Sequence, residues 1–298
     1  MDGLIILNKP LNISSHDAVF KVKKILKEKK VGHTGTLDPL ASGILIICLG
    51  KATKLSQYLT TDSKIYRAKI ILGFSTKTYD LEGEVVEETD VLNVSEAQID
   101  EAINSFLGKS LQYPPIYSAI KKDGKKLYEY ALKGENVEIE PREIEVFEAK
   151  RVSAISNENN RIVFDVELNV SKGTYIRSIA NDLGKKLNVP SVLGGLVRSS
   201  CSGFTLDDTN TLEDVEKGTF KLITPLDALK EYFKVSDDDS IKKAKNGMKI
   251  SYRYIKEQYQ KAPNQFVVAN GNDLVAIYKL QFNEELNTYY YKADTVWN

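Results

Sequence analysis

The sequence predicts a mixed α/β protein, a large unit of helices and strands followed by a small β-rich piece. Three observations carry that expectation. "RIVFDVELNV" at 161–170 alternates, with Ile162, Phe164, Val166, Leu168 and Val170 on one side and Arg161, Asp165, Glu167 and Asn169 on the other, as in a half-buried strand. "SEAQIDEAINSFLG" at 95–108 places Ile99, Ile103, Phe106 and Leu107 at helical spacing between a serine cap and a glycine stop. Near the end, "FVVANG", "LVAIYKL" and "TYYYKA" are short strands separated by turn residues.

In chain order, residues 14–30 form an amphipathic helix, capped by serine and carrying Val19, Val22, Ile25 and Leu26 inward beneath a lysine-rich outer face. "GILIICLG" at 43–50 is a buried strand, and 64–72 another, with Tyr66, Ala68, Ile70 and Leu72 on one face. Residues 112–142 hold "YPP", a Lys-Asp-Gly-Lys turn, "KG" and "EP" around a short helix near Leu127, which reads as a long excursion from the core. After the strand at 161–170 and an "SKGT" turn, Ile176, Ile179, Ala180, Leu183 and Leu187 recur at helical spacing, so Arg177 sits in the first turn of a helix. Around "EYFKVSDDDSIKKAKNG" the chain turns polar and acidic, which places a domain boundary near 231, with domains at 1–231 and 232–298.

Lysine plus arginine equals aspartate plus glutamate, 41 against 41, so any nucleic-acid partner is held by local clusters rather than by the overall field. Such clusters stand at 21–30, at 121–126, and at Lys64, Arg67 and Lys69 around Tyr66. With two histidines and two separated cysteines, neither an ordinary zinc site nor a disulfide framework is expected. The opening "MDGLIILNKP" has no basic leader and no stretch approaches membrane-spanning length, so the expected location is cytoplasmic, with no membrane contact. "GHTGT" lacks the Gly-Lys-Ser/Thr of a phosphate-binding loop. "SAIK" at 118–121 with "KGT" at 172–174 is a permuted echo of serine–lysine enzymes, too short to carry weight. Asp38 precedes a proline and so stands in an extended, constrained loop, while His33 lies between glycines.

Several long stretches occur together in one order: "LNKPLNISSHDAV", "GHTGTLDPLASGILIICLGKATKL", "KIYRAKIILGFSTKTYDLEGEV", "PPIYSAIKKDGKKLYEYALKG", "SKGTYIRSIANDLGKKL" and "LVRSSCSGF". Over most of residues 1–230 the chain resembles the bacterial TruB-type tRNA pseudouridine synthases. The resemblance implies an α+β pseudouridine-synthase domain around a curved, mixed, largely antiparallel sheet, with a PUA-like RNA-binding domain at the C-terminus. It implies isomerisation of the position-55 uridine in the T-loop of tRNA, with no cofactor or metal and no protein partner, by a monomer. Residue by residue, Asp38 of "GTLDP" matches the nucleophile, Tyr66 of "KIYRA" the tyrosine on the target base, and Arg177 of "GTYIRS" the partner of the nucleophile. Tyr175 and Leu196 match positions lining the uracil pocket, and His33 the histidine placed against the RNA where the flipped nucleotide has left. Residues 112–142 match an RNA-clasping insertion whose Lys121, Lys122, Lys125 and Lys126 would meet phosphates. The chain departs from the family at Val197, where an arginine is common.

Elementary chemistry agrees with these roles. A carboxylate titrates near ~4, so Asp38 needs positioning rather than activation, and a guanidinium can hold it in a bidentate fork. The target base must leave its stack, at a cost of about a few kcal/mol. Tyr66 offers it an aromatic face, His33 can slide into the vacated space, and Leu196 closes the pocket against water. Tyr66 is also a candidate to take the carbon-5 proton, although a phenol near ~10 is a weak base. Two alternatives are a non-catalytic T-loop-binding or RNA-folding protein and a guide-RNA-dependent synthase subunit; the lysine-bearing insertion, suited to gripping tRNA directly, argues against the latter.

Overall fold

A computed structural model describes residues 1–60, 63–91 and 94–297. The chain runs through β1 (Gly3–Lys9), α1 (Ser15–Leu26), β2 (Val31–Thr34), β3 (Ala41–Leu49), α2 (Ser56–Leu59), β4 (Lys64–Leu72), β5 (Phe74–Thr76) and β6 (Val85–Glu88). It continues with α3 (Glu96–Asn104), β7 (Gly108–Gln112), β8 (Lys121–Lys122), β9 (Lys125–Lys126), α4 (Leu127–Lys133), β10 (Arg142–Arg151), β11 (Ser156–Glu158) and β12 (Arg161–Val170). Next come α5 (Ile176–Leu187), β13 (Ser191–Cys201), β14 (Phe204–Thr205) and α6 (Leu212–Lys217). The last part holds β15 (Phe233–Val235), α7 (Asp238–Lys245), β16 (Ile250–Ser251), α8 (Tyr252–Tyr259), β17 (Gln265–Asn270), β18 (Asp273–Asn283) and β19 (Thr288–Val296).

Local chemistry sets the helix ends. Ser14 and Asp17 form a reciprocal capping box at the start of α1, worth about 1 kcal/mol. The helix stops at Lys27, whose φ of 53° is left-handed, short of the predicted residue 30. α3 also starts in a capping box, Ser95 with Gln98, but ends at Asn104 instead of at Gly108. The early stop leaves Phe106 packed on the core from a turn, exposes Leu107, and lets Gly108 open β7.

The main sheet has the strand order β1-β3-β13-β4-β12-β10-β7. These pairings are antiparallel except between β3 and β13, where Leu196, Val197 and Arg198 lie parallel to Ala41, Ser42 and Gly43. One edge of β3 is thus shared, because Ile46, Ile47, Cys48 and Leu49 pair with β2 farther along. The chain leaves β2, loops through residues 35–40, and re-enters β3 where β13 takes over as partner. This seam is where the fold places Asp38.

Both faces of β1 and β3 are covered, which is why they read as unbroken apolar runs. Ile5, Leu7, Leu45 and Ile47 join the inner faces of α1, α3 and α5 in one core. Leu4, Ile6, Ile44, Ile46 and Cys48 join a second core with Val267, Leu274 and Ile277 of the C-terminal sheet. That second sheet has the order β15-β17-β18-β19-β16, and the polar stretch after 231 forms β15 and α7 within it. No helix among the described residues is long and apolar enough to cross a membrane.

Residues 112–142 leave the main sheet between β7 and β10, whose Gln112 and Arg142 are paired. The excursion contains the β8–β9 hairpin, turned through Asp123 and Gly124 with φ of 50° and 82°, and then α4.

Gly43 has φ 97°, and a Cβ there would lie 2.3 Å from the Arg198 carbonyl oxygen. Gly43→Ala is expected to destabilise the protein by about 3 kcal/mol in urea unfolding, because it forces the seam apart. A loss below about 1 kcal/mol would show that the two strands separate without penalty.

Candidate active site

The loop carrying Asp38 is pinned on all sides. Ser15 Oγ donates to the Leu37 carbonyl at 2.9 Å and accepts from the Leu37 amide at 2.8 Å, tying the loop to α1. Asn12 N donates to Pro39 O at 2.9 Å, and Ala41 N to Asp38 O at 3.0 Å. Arg198, 1% exposed, donates from Nε to Ile44 O at 2.7 Å and from Nη2 to Gly35 O at 3.2 Å. The Asp38 carboxylate itself remains 41% exposed between these anchored ends.

Arg177 arrives from the first turn of α5, as the sequence expects, and its side chain is 8% exposed. Its Nε lies 2.9 Å from Asp38 Oδ2, but the N–H is not aligned into a hydrogen bond. The predicted bidentate fork does not form, because the guanidinium is shared. Nη1 lies 3.3 Å from Asp80 Oδ2 and donates to Thr78 O at 3.3 Å, while Nη2 donates to Tyr117 O at 3.1 Å. Asp80 is 4% exposed and also accepts from Thr78 Oγ1 and Glu82 N. The nearby Glu82 carboxyl is pushed up by burial, then by Asp80 and Asp38, which marks a local excess of acid around one guanidinium.

Two cavities meet at this pair. The larger, about 570 Å³, is lined by Lys64, Tyr66, Ser118, Lys172, Tyr175 and Arg198; the smaller, about 290 Å³, by Leu11, Leu40, Arg67, Lys69, Asp80 and Leu193. Asp38, Arg177 and Leu196 line both. The structure therefore brings together Asp38, Arg177, Tyr66, Tyr175 and Leu196. Tyr66 is buried, and burial raises its phenol despite the opposing Arg198 charge, so it presents a neutral aromatic face at pH 7. Burial likewise raises Tyr175, whose phenol lies beside Ser118 Oγ without an aligned hydrogen bond.

His33 is placed differently from the sequence expectation. It is not on a free loop but inside β2, paired with Ile47, and it lines neither cavity. The pairing demands of β3 hold it there. Its Nδ1 is buried and has no hydrogen-bond partner among the described residues, and burial followed by the Arg198 charge pushes its imidazole below the ordinary range.

The insertion lysines have local partners. Lys122 donates to Glu138 O at 2.8 Å and pairs with Glu140 at 3.3 Å, Lys125 pairs with Glu135 at 3.6 Å, Lys126 lies over the Tyr128 ring, and Lys121 is exposed. Such surface pairs are worth about 0–1 kcal/mol.

Sequence reasoning missed Asp80, Arg198 and Lys9. Lys9 is fully buried, donates to Pro10 O and Ile13 O at 2.9 and 2.7 Å, and is pushed down to about 8 by burial, with Asp38 opposing. A signal for Arg198 was present in its place two residues after Leu196 on one strand, which turns both toward one seam. Among the described residues no group of three or more His, Cys, Asp or Glu is placed to hold a metal ion.

Residues 23–176 match the TruB family pseudouridylate synthase N-terminal domain. A tRNA pseudouridine synthase B of Bacillus pumilus is 48% identical, covering 74% of this chain and 72% of its own. One from Bacillus cytotoxicus is 40% identical over 94% and 92%. In fold, the chain is similar to a chain in the crystal structure of a Cbf5-Nop10-Gar1 complex, with TM-score 0.67 and 24% identity over 99% of this chain and 84% of that one.

Because folded His33 binds its proton more weakly than in the unfolded chain, stability is full above the unfolded value of 6.5 and falls as pH drops toward the folded one. The urea midpoint of the wild type is expected to decline more between pH 7 and pH 5 than that of His33→Gln. Equal declines would place the charge change elsewhere.

Proposed function

The chain belongs to the TruB family of pseudouridylate synthases and is a tRNA-modifying isomerase, and from that premise we propose that it converts the position-55 uridine of the T-loop to pseudouridine with Asp38 as nucleophile. The observation that carries this reading is the approach of Arg177 Nε to Asp38 Oδ2, 2.9 Å, in the wall shared by both cavities. The carboxylate is held there at the cavity wall, open to a bound nucleotide, while its counter-ion stays buried.

In this reading the uridine is extruded from its loop, and Tyr66 stacks on the uracil with Tyr175 and Leu196 as walls. The Asp38 carboxylate adds to the nucleotide, the bond between N1 and the ribose breaks, and the retained base turns. Carbon 5 then bonds to the ribose carbon, the carbon-5 proton leaves while N1, freed from the ribose, takes up a proton, and the Asp38 carboxylate is released. Product and substrate are isomers, so nothing is oxidised or reduced and no cofactor is required. Water exclusion matters because the detached base must be rejoined before it escapes.

His33, anchored in a strand rather than in a mobile loop, serves as a fixed element against the opened RNA stack. Lys121, Lys122, Lys125 and Lys126 supply phosphate contacts without reading sequence. Residues 232–298 act as a PUA-like RNA-binding domain beside the catalytic domain at 1–231. The protein works as a cytoplasmic monomer without a protein partner.

Asp38→Asn is expected to reduce tritium release from carbon-5-labelled tRNA by about a thousandfold or more, with tRNA affinity within about twofold of wild type. Substantial residual release would refute the nucleophile. Mapping pseudouridine in total tRNA from cells lacking the protein tests the substrate, since the loss is expected at the T-loop uridine alone. Neutralising the four insertion lysines is expected to flatten the dependence of log affinity on log salt by about 0.7–0.9 for each phosphate that is no longer neutralised. An unchanged slope would remove them from the interface.

A further inference from the structure

Gln112 ends β7 and is 5% exposed. Opposite it in the ladder stands Arg142, so the two ends of the insertion meet at this position. The Gln112 amide lies against the backbone of Tyr175: Nε2 donates to Tyr175 O at 3.1 Å, and Oε1 accepts from Tyr175 N at 2.8 Å. Tyr175 is the N-cap of α5 and has no side-chain cap bond of its own. Two further bonds follow along the same strap, with Ser178 Oγ donating to Tyr113 O at 2.9 Å and Arg177 Nη2 donating to Tyr117 O at 3.1 Å.

We propose that Gln112 is a positioning residue for the isomerisation, tying the base of the RNA-clasping insertion to the Tyr175 backbone and thereby setting the aim of Arg177 at Asp38. The inference rests on the function proposed above and goes beyond it, since Gln112 touches neither nucleophile nor cavity. Both ends of its amide are committed to the residue two positions before Arg177, so a shift of the strap moves the first turn of α5 with it. The RNA-free geometry leaves work for such a shift, because Nε is close to Asp38 while its N–H points elsewhere. Small errors in placing a reacting group are costly in rate. Any movement of the lysine-bearing insertion on binding RNA would reach the guanidinium through these ties.

A cap that serves stability alone predicts a lower unfolding temperature and an unchanged chemical step. A positioning role predicts a slower step at saturating RNA. The test compares Gln112→Met, which removes both amide bonds, and Gln112→Glu, which keeps the acceptor but loses the donor, at a temperature where circular dichroism shows each variant folded. Single-turnover pseudouridine formation at saturating tRNA is expected to slow by about tenfold or more, with tRNA affinity within about twofold of wild type. In the wild type, neutralising the four insertion lysines should also slow the saturated step, and in Gln112→Met it should slow it by a smaller factor, because the tie to the Tyr175 backbone is lost and only the Tyr113 and Tyr117 bonds remain. Wild-type rates at saturating tRNA, a defect cured by raising tRNA, or simple multiplication of the two effects would overturn the proposal. Should both variants unfold, Ser178→Ala, which removes the adjacent tie, must slow the saturated step, and a wild-type rate there overturns the proposal. A wild-type protein that forms no pseudouridine would instead refute the proposed function itself.

Discussion

The arrangement depends on keeping one guanidinium charged out of water. Arg177 is almost fully covered, and a buried cation without partners would cost several kcal/mol. Two carboxylates and two backbone carbonyls meet that demand, drawn from three separate segments: the loop with Asp38, the turn with Thr78 and Asp80, and the insertion base with Tyr117. The two carboxylates are not equivalent. Asp80 is closed in and tied to neighbouring donors, whereas Asp38 is open to the cavities. If Asp38 loses its charge on forming a covalent adduct, Asp80 still balances the guanidinium, so the site never holds an uncompensated cation during the reaction.

The seam between β3 and β13 supplies the geometry on which that charge balance is built. A loop released where one strand changes partners has its ends fixed by two ladders, and Arg198 clamps its first part from β13. A side chain in such a loop can be held still yet exposed, as a nucleophile must be. The Arg198 charge also bears on the Tyr66 phenol and the His33 imidazole, lowering both, so the loop, the aromatic face and β2 share one electrostatic neighbourhood.

Much of this was legible in the sequence because strands covered on one face alternate and those covered on both do not. β4 and β12 match the expected spans, and α5 begins where the apolar spacing put it, with Arg177 in its first turn. The meeting of Asp38 and Arg177 came from the family resemblance and not from spacing, since no local pattern links positions so far apart. Asp80, Lys9 and Gln112 were illegible for a common reason: a buried polar residue is written in the same letters as a solvated one, and only its partners distinguish them. His33 was misplaced because flanking glycines suggest a loop, whereas β3 recruits those residues into its ladder. α7 and β15 were hidden within an acidic stretch in which Asp237 turns out to cap a helix.

The core shared by the two sheets changes what the composition shift near 231 means. Ile44, Ile46 and Cys48 lie on the reverse of the strand that the Asp38 loop enters, and they are kept dry by Val267, Leu274 and Ile277 from beyond that shift. A chain cut there would leave an oily surface directly behind the loop that carries Asp38, so the final segment acts as a buttress for the candidate site.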